Sequence, residues 1–148
     1  MIKTGDLVVK SSDDNVALIV EVKARSHVSD EWASTLRRNF VAHQMVPSNA
    51  FFLLALKDYF YLWKPGNSRS SAEFDYKISA NSILDKYLDR LSLADLSESS
   101  LELLLSTWLG DLANSRISED ENPEFASIIK SGLYEAIKGG AVQAQVAD

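Results

Sequence analysis

An aspartate at position 6 and the triplet Glu21-Val22-Lys23 lie on either side of a polar turn. Two carboxylates and an ammonium gathered on one hairpin can hold a divalent cation beside a phosphodiester. The carboxylates are hard oxygen donors for such an ion, and the ammonium is fixed positive charge for the phosphate or the attacking oxygen. That chemistry requires all three side chains on one side of the chain, so the elements carrying them decide whether it is available.

Leu7, Val8 and Val9 form a short apolar run, Ser11 to Asn15 carry turn residues, and Val16 to Val22 are rich in β-branched side chains. This is the pattern of a β-hairpin. With Asp13-Asp14 as the two turn residues, Ser12 faces Asn15, and counting back sets Asp6 directly opposite Glu21. Strand alternation then gives Lys23 the face of Glu21, while Val20 and Val22 point into the core. Opposed like charges on a hairpin cost from a few tenths to about 1 kcal/mol, so a positive group is expected between them, either Lys23 or a bound metal ion. The plainer reading of a Glu-x-Lys strand is a modest ion pair on an exposed face.

Beyond the hairpin, Ser29 can cap a helix with Asp30 and Glu31 in its first turn, where carboxylates favour the helix dipole. Trp32, Ala33, Leu36 and Phe40 recur at helical spacing as a buried stripe. Arg37 and Arg38 fall off that stripe and, with Arg25, are candidate nucleic-acid contacts; a solvated helix face is the alternative. His27 and His43 stand outside the hairpin and read as loop or helix-end residues. Ala50 to Leu56 and Tyr59 to Trp63 form a second hairpin about Lys57-Asp58, stopped by Pro65-Gly66. Its aromatics, Phe51, Phe52, Tyr59, Phe60, Tyr61 and Trp63, fit sheet packing better than a base-stacking platform.

The serine-rich stretch from Asn67 to Glu73 reads as a connector. Three amphipathic helices follow: Ser82 to Leu91, a segment starting near Ser97 or Ser99 and running through Leu112, and one from Asn122-Pro123 through Ile137 to Gly139-Gly140. Residues after Gly140 read as a loose tail. The organisation is therefore a core over 1–66, a helical extension over 67–140 packed on the same domain, and a tail over 141–148.

Gly5-Asp6-Leu7-Val8-Val9, then Ala17 to Lys23 ending in Glu-x-Lys, then a helix and a further strand, resemble the PD-(D/E)xK, or restriction-endonuclease-like, nuclease superfamily. The resemblance covers Thr4 to Trp63. It implies an α/β fold with a restriction-endonuclease-like mixed sheet and flanking helices, here followed by the C-terminal helical extension. It also implies Mg2+, or Mn2+ in its place, held by Asp6, Glu21 and the main-chain carbonyl of Val22, with Lys23 as the catalytic cation and DNA as the substrate. The chain departs from the family pattern in three places. Gly5 stands where Pro is common, Thr35 stands where related nucleases carry Gln, and only Met1 to Gly5 precede Asp6, where the family opens with a helix and a strand. The last departure leaves a sheet edge to be covered, either by the C-terminal helices or by a second copy in a homodimer. The competing expectation is a catalytically inactive protein that kept the scaffold and binds a protein partner through its acidic helices around Glu119 to Glu124.

Composition bounds these readings. A chain of 148 residues with 46% hydrophobic content can bury one sizeable core. The net charge of -6 and pI near 4.9 argue against a generic basic nucleic-acid binder. The charge is uneven: residues 1–69 carry +2 and residues 70–148 carry -8, so the candidate site lies in the less acidic part. Cysteine is absent, which removes disulfides and thiolate metal sites and is compatible with a reducing cytoplasm. No apolar run is long enough to span a bilayer, and the N-terminus lacks a secretory pattern, so a cytoplasmic protein is expected.

Overall fold

The second strand is buried on both faces, and that fixes the architecture. The computed structural model describes residues 6–66, 73–115 and 124–145. Strand β1 (Leu7–Lys10) and strand β2 (Val16–Val22) form the expected antiparallel hairpin. Helix α1 (Asp30–Ala42) then crosses back so that β3 (Phe51–Ala55) runs parallel to β2. β4 (Tyr59–Trp63) returns antiparallel to β3 across the two-residue turn at Lys57 and Asp58, closed by the Leu56 N–H donating to the Tyr59 carbonyl at 3.1 Å. The six-stranded mixed sheet has the order β5-β4-β3-β2-β1-β6, with β5 at Tyr76–Ser79 and β6 at Ala141–Ala144.

Alternation along the strands divides the core into two layers. Leu18, Val20 and Val22 of β2 join Leu53 and Leu62 beneath α2 (Ala80–Leu88), α3 (Glu98–Ala113), α4 (Phe125–Ser131) and α5 (Leu133–Ile137). Ile19 joins Val8, Phe52, Leu54, Tyr61 and Trp63 beneath α1. The aromatics of β3 and β4 are therefore core, as their spacing implies: Phe52 lies 5.2 Å from Phe40 and 5.6 Å from Trp63, centroid to centroid. Tyr59 alone of that set is exposed, at 42%. Among the described residues, no helix is long and apolar enough to cross a membrane.

Several expectations are corrected by long-range pairing. Ala141–Ala144, read as a loose tail, forms β6 and pairs antiparallel with β1 from Leu7 to Lys10. The outer edge of β1 is thus covered by a strand of the same chain, and that edge no longer calls for a second copy or for the C-terminal helices. Tyr76–Ser79, left out of the helical reading, pairs with β4, and α2 begins at Ala80, where the Ser79 hydroxyl caps the Ser82 N–H. For α3 the cap is Ser97, bonded to the Ser100 N–H at 3.1 Å. The last helix is two, because Gly132 adopts φ 90 and the Ser131 hydroxyl accepts from the Leu133 N–H; a left-handed residue cannot continue an α-helix. The connector from Asn67, apart from Glu73, and the proposed start at Asn122-Pro123 lie outside the described residues.

Candidate active site

The hairpin reaches the expected register by a different turn. Ser11 and Asn15 pair through the Ser11 N–H, at 2.8 Å, around a three-residue loop in which Asp14 takes φ 66. A bulge between Val9 and Lys10 then restores the Leu7 to Val20 pairing. A longer loop shifts the register by one residue, and one bulge shifts it back. The two displacements cancel, so the count from an assumed Asp13-Asp14 turn arrives at the right partners.

Asp6 itself has left regular strand geometry. Its N–H donates to the Val20 carbonyl at 2.8 Å, while its carbonyl accepts from the Gln145 N–H at 3.0 Å, on the opposite side. In a regular strand both groups of one residue face the same neighbour. The twist brings the side chain inward: Asp6 Oδ2 accepts from the Val22 N–H at 2.7 Å. Asp6 therefore grips the residues on both sides of Glu21, by its main chain at Val20 and by its carboxylate at Val22.

Glu21 is 9% exposed and stands on the α1 face, paired with Leu54 of β3. A buried carboxylate is costly unless charge or hydrogen bonds compensate it. Val22 turns its N–H toward Asp6, so strand geometry sets its carbonyl on that same side. Lys23 is half-buried, and its main chain extends the ladder by donating to the Ala55 carbonyl at 3.1 Å. The next residues are anchored too. The Ala24 N–H donates to Glu98 Oε1 at 3.2 Å, and the Arg25 carbonyl accepts from the Lys57 N–H at 2.9 Å. The sequence reading missed Glu98 and Gln145 as supports, since both act from more than 70 residues away.

The metal donors expected from the sequence are oxygens only: the carboxylates of Asp6 and Glu21 and the carbonyl of Val22. That set suits a hard divalent cation rather than zinc or copper. Among the described residues, no group of three His, Cys, Asp or Glu side chains comes together.

The arginines are dispersed. Arg37, expected off the buried stripe, is buried at 6% exposure with its Cζ 6.0 Å from the Trp63 ring. Its four-residue spacing from buried Ala33 puts it on the sheet-facing side of α1, and a long stem on an aromatic surface is how arginine tolerates that position. Arg38 is exposed; Arg25 is exposed and lies 4.9 Å above the Trp32 ring. His27 and His43 are exposed, the first in the loop after β2 with φ 59 and the second as the C-cap of α1.

Ser29 caps α1 as expected, its hydroxyl accepting from the Trp32 N–H at 3.0 Å. The helix start also holds a second polar cluster. Asp30 Oδ1 accepts from the Tyr61 hydroxyl at 2.9 Å and from Lys77 Nζ at 3.0 Å. The Lys77 bond, then the Tyr61 bond, hold the Asp30 carboxyl below the usual carboxylate range. Burial first, and then Asp30, push the Tyr61 phenol up, and the Asp30 bond pushes Lys77 up.

No family profile, no curated protein and no solved structure matches this chain.

Proposed function

We propose that this protein is a Mg2+-dependent nuclease that hydrolyses DNA phosphodiesters at the Asp6, Glu21 and Lys23 end of the first hairpin. The observation that carries the reading is the Asp6 carboxylate held 2.7 Å from the N–H of Val22, the residue that follows the buried Glu21. A divalent cation shared by two neighbouring carboxylates offsets their mutual repulsion. Asp6, Glu21 and the Val22 carbonyl would hold the ion, and Mn2+ has the same preference for oxygen donors. When bound, the ion supplies Lewis acidity and lowers the pKa of a coordinated water.

The chain's own groups do the rest. Asp6 is fixed at three points, so its carboxylate needs little reorganisation to receive the ion. Lys23 stands one residue past the Val22 carbonyl on a segment anchored to β3, α3 and the loop after β3; its ammonium orients the attacking oxygen and offsets charge growing on the phosphate. Arg25 and Arg38, both exposed, are the candidate backbone contacts. With a net charge of -6, the expected DNA binding is weak and salt-sensitive.

A second reading has its own observation. The Asp6 to Val22 bond is also what a purely structural cap at a strand edge would make, which fits a nuclease-like scaffold retained as a protein-interaction module. The acidic stretch proposed for that role, Glu119 to Glu124, lies outside the described residues except for Glu124. The deciding experiment incubates the purified chain with single- and double-stranded DNA and RNA in Mg2+ or Mn2+. Cleavage by wild type, reduced at least about a hundredfold in Lys23→Ala, is expected. Absence of cleavage with every substrate and metal would favour the interaction module.

A further inference from the structure

A second charged site lies at the other end of α1, beside Val41 in its last turn and near the start of β3 at Phe51. A cleft of about 200 Å3 opens there, lined by Arg37, Ser48, Lys64, Val41, Val46 and Ala50 among others. Among the described residues, its lining carries two cations and no carboxylate.

Arg37 is more than nine-tenths buried as a residue, and its guanidinium stays charged at any pH a protein meets. Its Cζ lies 6.0 Å from the Trp63 ring centroid, and a guanidinium carries five N–H donors in one plane. Lys64 follows Trp63 directly, is exposed, and is held by its N–H donating to Asp75 Oδ2 at 2.8 Å. Apolar walls beside such a pair lower the local dielectric and strengthen the attraction for a negative group. Ser48 adds a hydroxyl that can donate or accept.

We propose that this cleft binds a phosphate group, either as the free anion or as the phosphorylated end of a nucleic acid. A guanidinium and an ammonium lining one cleft together match the charge of a tetrahedral oxyanion. The site uses none of Asp6, Glu21 and Lys23, and it stands whether or not the hairpin cleaves DNA.

The test is calorimetric titration of the full chain, in EDTA so that no turnover occurs, with inorganic phosphate and with a tetranucleotide carrying either a 5′-phosphate or a 5′-hydroxyl. Saturable phosphate binding is expected, weakened at least tenfold in Lys64→Glu and in Arg37→Gln. Lys64 is exposed, so its charge reversal keeps the fold and decides the matter even if Arg37→Gln unfolds. Tighter binding of the phosphorylated tetranucleotide than of its hydroxyl counterpart assigns the site to nucleic-acid ends; equal binding of the two, with saturable phosphate, assigns it to the free anion. No saturation by phosphate in wild type, or phosphate binding unchanged in Lys64→Glu, overturns the proposal.

Discussion

On the α1 face of the sheet, Lys77, Tyr61, Leu54 and Glu21 stand side by side on four neighbouring strands, and a polar cluster sits at each end of that row. Strand spacing puts Lys77 and Glu21 roughly 14 Å apart. At the Lys77 end one carboxylate, Asp30, meets an ammonium and a phenol, and every charge has its complement. At the Glu21 end one acidic residue, Glu21, lies on β2 and the other, Asp6, just ahead of β1, where main chain clamps it on both sides. The first arrangement ties the start of α1 to the sheet and is complete as it stands. The second brings together two acidic residues and the Val22 main chain, the oxygen donors a divalent cation takes, which is why the nuclease reading is placed there and not at the Lys77 cluster.

The largest expected effect separates charge from hydrogen bonding at the Glu21 end. Asp6→Asn and Glu21→Gln should each lower cleavage at least about a hundredfold, the loss of one ligand exceeding the 10- to 100-fold typical of outer-shell changes. Metal-free Glu21→Gln should unfold at the same denaturant concentration or a higher one, gaining up to about 1 kcal/mol as like-charge repulsion is relieved. Asp6→Ala, which strips the acceptor from the Val22 N–H, should instead cost about 1 to 3 kcal/mol. A metal-free Glu21→Gln that loses more than about 1 kcal/mol would mean that the Glu21 carboxylate is already compensated within the fold, and the contrast between the two clusters would collapse.

A smaller effect tests the support from the C-terminal strand. Gln145→Pro removes the N–H that donates to the Asp6 carbonyl while leaving Asp6, Glu21 and Lys23 intact. About 1 kcal/mol of stability is expected to go with that bond. Cleavage should fall about tenfold, in the range of second-shell changes, with the deficit narrowed at higher Mg2+ concentration. Full activity in this variant would show that Asp6 is held well enough by Val20 and Val22 alone.

That dependence was the part of the site least legible in the sequence. The first hairpin, the Ser29 cap and the Lys57-Asp58 turn are written locally, in alternation and turn chemistry, and each is found where the residues put it. The Asp6 to Glu21 neighbourhood was reached through a turn that differs from the assumed one, and only because a bulge compensates it. β5 and β6 each have four residues, Tyr-Lys-Ile-Ser and Ala-Val-Gln-Ala. Neither run is apolar enough to announce a strand; both exist because β4 and β1 present open edges to them. Arg37 illustrates the same limit from the other side. Its charge suggests solvent, but its place opposite Trp63 is fixed by how α1 lies on β4, a relation no local window contains. The expected mixed sheet with flanking helices is present, and two of its strands come from the part read as helical extension and tail.

The smallest effect belongs to the complete cluster, and pH exposes it. Asp30 has its folded pKa lowered, chiefly by the Lys77 bond and then by Tyr61, so its contribution is present above the ordinary carboxylate pKa and is lost as pH falls through the folded value. Lys77 has its folded pKa raised, chiefly by Asp30, so its contribution is present below the ordinary lysine pKa and is lost as pH rises through the folded value. The pair therefore gives a plateau of stability between about pH 4 and pH 10. Asp30 is 57% exposed at its side chain, and solvent screening limits the plateau to less than about 1 kcal/mol. Asp30→Asn keeps an acceptor for the Tyr61 hydroxyl and removes the charge. Urea unfolding should show this variant weaker than wild type at pH 7 by that margin, with the gap closing near pH 3, and its cleavage activity should be unchanged because the cluster lies three strands from Glu21. A gap that persists undiminished at pH 3 would mean that the Asp30 charge is not what ties α1 to the sheet.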